Sequence, residues 1–221
     1  MPGTVTDDPQ VIVTGTSRGG GGGDVPAGGD DDGGEGSSGL PAIPTRAYYT
    51  ALQLGLAGII MFFMALTSSF LVRKALGADW VAIALPPVLW LNSIVLLASS
   101  GTIQWANTRL EQGDARGFRY WWGLTIALGL LFLTGQFIAW GQLAAQGMYV
   151  SSNPDSSFFY LLTAAHGLHL AGGILALFYV AFRRWQKSRI TRATAASLAG
   201  IYWHFMDGLW LFLLALLYLG R

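Results

Sequence analysis

The stretch Tyr160-Leu-Leu-Thr-Ala-Ala-His166-Gly-Leu-His169-Leu-Ala-Gly-Gly173 sets two histidines three residues apart inside a long apolar run. A second apolar run carries Tyr202-Trp-His204-Phe-Met-Asp207-Gly-Leu-Trp210. A charged side chain at the centre of a bilayer costs roughly 2.5–3.5 kcal/mol on insertion scales. A chain that keeps four ionisable groups on two such runs therefore has a use for them. Three residues turn a helix by about 300°, so His166 and His169 share a face, as do His204 and Asp207. Depths follow from the helical rise, counted from the ends joined by Arg183–Ala193. His169 and Asp207 both lie roughly 20 Å along, His166 roughly 25 Å and His204 roughly 15 Å. The level match predicts a His169–Asp207 contact, in which carboxylate and imidazole spare each other from standing unpaired in a low-dielectric site.

Three chemistries are open to this group. In the first, it is structural: it fastens one segment to the next and holds a contact surface for a partner or a lipid headgroup. In the second, the histidines ligate a b-type haem, which needs two imidazoles facing each other at one level on different helices. The offset of roughly 10 Å between His166 and His204 counts against that. In the third, His and Asp relay protons in a small transporter, although the chain shows no inverted repeat. A zinc site wants three or four His, Cys or carboxylate ligands, and His166, His169 and Asp207 would only just suffice. No nucleophile with a base, no phosphate loop and no dinucleotide fingerprint is present. The expectation is an interhelical polar cluster of His166, His169, His204 and Asp207, with no catalytic, cofactor-binding or metal-binding residue.

The elements that must position these residues are membrane spans. Hydrophobic residues make up 52% of the chain and charged ones 11%, against roughly 25% charged in soluble domains. Five segments reach the length of about 20 apolar residues that a bilayer demands. They run approximately 48–72, 80–105, 120–142, 157–182 and 194–219. Pro86-Pro87 falls one turn into the second and predicts a bend or a late helix start. Tyr48, Tyr49, Trp80, Trp105, Trp121, Trp122, Trp140 and Trp185 stand near span ends, where an interfacial aromatic belt is expected. Gly123, Gly129, Gly135, Gly172 and Gly173 would let helices approach closely. Gln53, Asn92, Ser93, Ser99, Ser100, Gln104 and Gln136 read as interhelical hydrogen-bonding residues. The fold class is an all-α membrane protein, a five-transmembrane-helix bundle over residues 45–221.

Residues 1–44 form a separate domain. Met1–Gly39 hold thirteen glycines and seven of the chain's twelve acids. So few apolar residues cannot offset the entropy of ordering the backbone, which predicts a disordered tail. Without a basic start followed by an apolar stretch, this tail does not read as a cleaved signal peptide. Cysteine is absent and the net charge is +1, so thiolate sites are excluded and no nucleic-acid partner is suggested. With the N-terminus inside, nine basic residues beside the membrane are inner and three are outer. The positive-inside rule then predicts a cytoplasmic N-terminus and an outer C-terminus.

At these residues the chain resembles subunit III of the haem-copper oxidases, the cytochrome c and quinol oxidase family. Thr163-Ala-Ala-His166-Gly-Leu-His169 is similar to that family's T-G-x-H-G-x-H-V. Tyr202-Trp-His204-Phe-Met-Asp207-Gly-Leu-Trp210-Leu-Phe212 is similar to Y-W-H-F-V-D-x-x-W-L-F. The likeness covers Tyr48–Arg221 and corresponds to the shorter, five-helix members. It implies a non-catalytic subunit of a respiratory terminal oxidase in a bacterial inner membrane, packed against catalytic subunit I and other oxidase subunits. Haem and copper would reside on the partner, with membrane lipids around the bundle and phospholipid as a further bound group. The complex would pass electrons to oxygen and translocate protons. Two glutamates usual in the family are missing, Ile59 and Ala139 taking their places. That departure leaves a nitric oxide reductase partner as an alternative, beside the transporter.

Overall fold

The computed structural model describes residues 44–76, 86–149, 154–183 and 191–220. Most of the predicted tail, and the start of the second predicted span at Trp80, lie outside them. The described residues form five helices: α1 (Thr45–Leu76), α2 (Val88–Glu111), α3 (Ala115–Ala145), α4 (Pro154–Phe182) and α5 (Arg192–Leu219). Each is long and apolar enough to cross a membrane.

Local chemistry explains where the helices begin. Helix α2 starts late, directly after Pro86-Pro87, with Leu89 N–H donating to the Pro86 carbonyl at 3.2 Å and Trp90 N–H to that of Pro87 at 3.1 Å. A proline has no N–H to lose, so the first turn tolerates it. Of the two expectations, a bend or a late start, α2 shows the late start. Helix α3 begins under an Asp114 cap, whose carboxylate accepts from the N–H groups of Arg116 and Gly117. Gly113, with φ of 76°, supplies the left-handed residue that turns α2 into α3. Thr191 caps α5 through the Thr194 N–H.

Helices α2, α3, α4 and α5 pack as a ring in which each touches the next, and α5 closes back onto α2. Helix α1 lies outside this ring against α4 and α5. It buries only a narrow stripe, Phe63, Thr67 and Phe70, at the i, i+4, i+7 spacing of one helix face. The core of the ring is aromatic: Trp122, Trp203, Trp210, Phe118, Phe132 and Phe159 are all fully buried. The α1 N-terminus is tied to the start of α5 by the Tyr49 hydroxyl, 3.3 Å from Ser197 Oγ.

Candidate functional site

The four ionisable residues take three different environments. His169 is half-buried; its Nδ1 donates to the Ala165 carbonyl of its own helix at 2.8 Å. Its ring lies beside Phe63 of α1, 5.7 Å between centroids. The His169 carbonyl accepts the Tyr202 hydroxyl of α5 at 2.9 Å. His166, one turn away, is fully buried between Phe132 at 6.0 Å and Trp210 at 5.2 Å. Neither of its ring nitrogens has a hydrogen-bond partner. His204 is exposed, and its Nδ1 pairs with Ser100 Oγ of α2. Asp207 is buried and turned toward Ser100, but neither carboxylate oxygen completes a hydrogen bond.

The predicted His169–Asp207 hydrogen bond is therefore not formed. Depth was matched, but azimuth was not. Tyr202 is the α5 residue that reaches His169, and Asp207, five residues on, points about 140° further round the helix. His204 and Asp207 do share a face, and that face meets α2.

What joins the helices is a set of donors that the sequence reading passed over. Trp203 Nε1 donates to Ser99 Oγ at 2.9 Å, and Trp210 Nε1 to Ser93 Oγ at 2.9 Å. The tryptophans stand seven residues apart and so share one face of α5, while the serines, six apart on α2, lie about 120° round from each other and are both reached by the long indoles. The seven-residue spacing of the tryptophans was the available signal. Ser93 and Ser99 are thus interhelical as expected, and Asn92 reaches the Phe132 carbonyl at 3.4 Å. Thr102 and Thr125 add a hydroxyl pair between α2 and α3 at 2.8 Å. Gln53 and Gln104 are exposed, and Gln136 is buried with neither side-chain polar atom partnered.

Two belt assignments need correcting. Trp122 is buried and donates to the Leu177 carbonyl of α4 at 2.9 Å. Trp140 donates to Thr163 Oγ1 at 3.1 Å. Both sit near span ends but turn inward, because α4 offers each an acceptor that lipid tails cannot. Close approach is real at Gly129, where an added Cβ would stand 2.8 Å from Trp203, and at Gly173, 2.9 Å from Tyr202. Gly123 and Gly172 face open space instead.

Among the described residues no group of three His, Cys, Asp or Glu could hold a metal ion. The imidazoles do not face one another: His166 is enclosed by Phe132 and Trp210, and His204 is engaged with Ser100. The polar side chains of both motifs mainly meet neighbouring helices.

A family model described as cytochrome c oxidase subunit III matches residues 52–220. The probable cytochrome c oxidase subunit 3 of Mycobacterium leprae is 35% identical over 175 residues, spanning 75% of this chain and 84% of that protein. The cytochrome c oxidase subunit 3 of Corynebacterium diphtheriae is 36% identical, spanning 72% and 81%. That of Synechocystis sp. is 31% identical, spanning 76% of each. These names favour an oxidase over a nitric oxide reductase or a transporter.

Proposed function

The chain belongs to the cytochrome c oxidase subunit III family, and on that premise we propose that its bundle docks on catalytic subunit I and holds it in an assembled, stable complex. It is a multi-pass protein of a bacterial membrane and a non-catalytic subunit of a haem-copper terminal oxidase. In our reading haem and copper lie on the partner, and cytochrome c is the electron donor. The N-terminus faces the cytoplasm and the C-terminus the outside, as the distribution of basic residues favours.

The observation that carries a structural role is the use made of the two motifs. Trp203 and Trp210 are tied to Ser99 and Ser93, His204 to Ser100, and Tyr202 to the His169 carbonyl. Hydrogen bonds of this kind hold helices together where lipid offers no hydrophobic drive. A rigid ring so fastened presents a fixed outer surface to a neighbour. Of the four predicted residues, His204 joins helices through its ring and His169 through its carbonyl, while His166 and Asp207 are buried in the packing without a completed hydrogen bond.

Extraction in mild detergent tests the proposal. The chain should leave the membrane with a haem-bearing partner, and the chain purified alone should show no haem absorbance. A haem spectrum from the isolated chain would overturn the assignment. So would a stable, partner-free chain that carries protons or solute across vesicles.

A further inference from the structure

His204 faces outward at the depth of the hydrocarbon. It is exposed on α5 and lies roughly 15 Å along the span, near the middle of a bilayer core about 30 Å thick. Its Nδ1 is engaged with Ser100 of α2, so Nε2 is turned away from that contact. Toward the arginine-rich end the seam between α2 and α5 opens into a cleft of about 190 Å³, lined at its two extremes by His204 and Glu111. Gln104, Asn107 and Ser197 line it between them. Asn107 Oδ1 is buried with no hydrogen-bond partner, and its amide is lodged over Gly200, where an added Cβ would stand 2.8 Å from Nδ2. Turned toward the same Ser100, Asp207 is 4% exposed, and neither of its carboxylate oxygens is paired. The cleft lining holds one carboxylate, that of Glu111, and no lysine or arginine. Among the described residues Glu111 forms no ion pair. Beside Ser100, Gly101 leaves the outer rim open, with nothing within 4 Å of where a Cβ would stand.

The excess along this seam is of acceptors. An ionised carboxylate and an amide oxygen only accept, so they call for a donor, and a charged donor gives the stronger bond. Water at the membrane surface can serve Glu111. An imidazole on the outer wall at mid-depth needs a protein neighbour, because lipid tails offer it no hydrogen bond. We propose that this seam seats one transmembrane helix of a partner subunit, which crosses Gly101 and His204 and lays a lysine or arginine side chain into the cleft toward Asn107 Oδ1 and Glu111. The apolar stem of that side chain runs past Ile201 and Leu110 while its charged head reaches the polar end. The inference rests on the chain being one subunit of a larger membrane complex.

The test places the photocrosslinker p-benzoylphenylalanine at Gly101 or at Ile201, with exposed Phe137 of α3 as the control position. Native membranes holding the intact complex are irradiated, the chain is purified with its partners, and the crosslinked peptides are sequenced by mass spectrometry. Both seam positions should capture the same transmembrane segment of one partner subunit, and that segment should carry a lysine or arginine; Phe137 should not capture it. Glu111→Gln with His204→Phe should cut the share of chain retained with that partner in mild detergent about tenfold or more, the scale of a lost charge-assisted hydrogen bond. Glu111→Asp should keep most of it. Because Gly101 faces open space and Ile201 is exposed, crosslinking tests the seam even if the double variant fails to assemble. A complex that copurifies, yet crosslinks at the seam only to lipid or to a segment without a basic residue, overturns the proposal and leaves the subunit reading standing. Undiminished retention of the double variant overturns it as well. A chain that copurifies with no partner at all strikes the subunit reading itself, and the inference with it.

Discussion

Gly129→Ala and Gly123→Ala alter one helix six residues apart, and their effects on stability should differ in sign. At Gly129 the new methyl would stand 2.8 Å from Trp203 Cη2, 3.1 Å from Cζ2 and 3.3 Å from Ile174 Cδ1. Carbon atoms pack best at about 3.5–4.0 Å, so the indole must retreat by about 0.7 Å or more. It has nowhere to go. The ring is fully buried, and its Nε1 is held to Ser99 Oγ at 2.9 Å, so retreat strains or breaks that bond. Overpacking costs about 1–3 kcal/mol, and an interhelical hydrogen bond in a membrane adds about 0.6 kcal/mol. Replacing a mid-helix glycine by alanine returns about 0.5–1 kcal/mol, which leaves a net loss of about 0.6–3 kcal/mol. At Gly123 only the return applies, so that variant should be neutral or gain up to about 1 kcal/mol. Unfolding in mixed micelles of rising sodium dodecyl sulfate, followed by circular dichroism, reads both. A Gly123→Ala loss equal to that of Gly129→Ala would refute the packing assigned to α3, as would a neutral Gly129→Ala.

The Ser93–Trp210 contact should behave as a coupled pair. Ser93→Ala alone leaves a buried indole N–H unpaired and should cost about 1–3 kcal/mol, whereas adding Trp210→Phe should cost less than the sum, a non-additivity of about 0.6–1.7 kcal/mol in a double-mutant cycle. His166→Phe should leave stability unchanged or raised, because both imidazole nitrogens are buried and unused; a loss above about 2 kcal/mol would show that they bind something. The chain has no cysteine, so single cysteines report orientation directly. In intact cells an impermeant thiol reagent should label Leu76→Cys and miss Thr45→Cys, and the reverse pattern would invert the proposed topology.

Much of the architecture was legible because a bilayer imposes length and apolarity on any span. All five helices were expected; their ends differ most at α2, which starts at Val88 behind Pro86-Pro87 and runs on to Glu111, and by five residues or fewer elsewhere. Pro86-Pro87 was legible as an interruption, but a proline pair reads alike as kink or start until neighbouring hydrogen bonds are known. The site was harder. Sequence gives depth along a helix well, which matched His169 with Asp207, but gives rotation only relative to other residues. Which face of α5 meets α4 depends on Tyr202, and nothing in the sequence ranked that tyrosine above Asp207. Tryptophans at span ends misled for the same reason: Trp122 occupies a belt depth and an interior azimuth. The Ser93 and Ser99 contacts were half visible, since the acceptors were named and their donors were not.

The position of α1 outside the ring has a consequence for biogenesis. Of the five helices this one leaves the ribosome first, yet the partners that cover Phe63, Thr67 and Phe70 are α4 and α5, the last of the five to be made. Helix α5 ends at Leu219, roughly 140 residues after α1 ends at Leu76. At synthesis rates of about 5–20 residues per second that is a wait of roughly 7–30 s. Meanwhile α2 and α3, joined by the short Gly113 turn and bonded through Thr102–Thr125, can pair as soon as both have emerged. The first helix inserted is thus the last to find its seat, and for that interval its inward stripe faces lipid or an insertion factor.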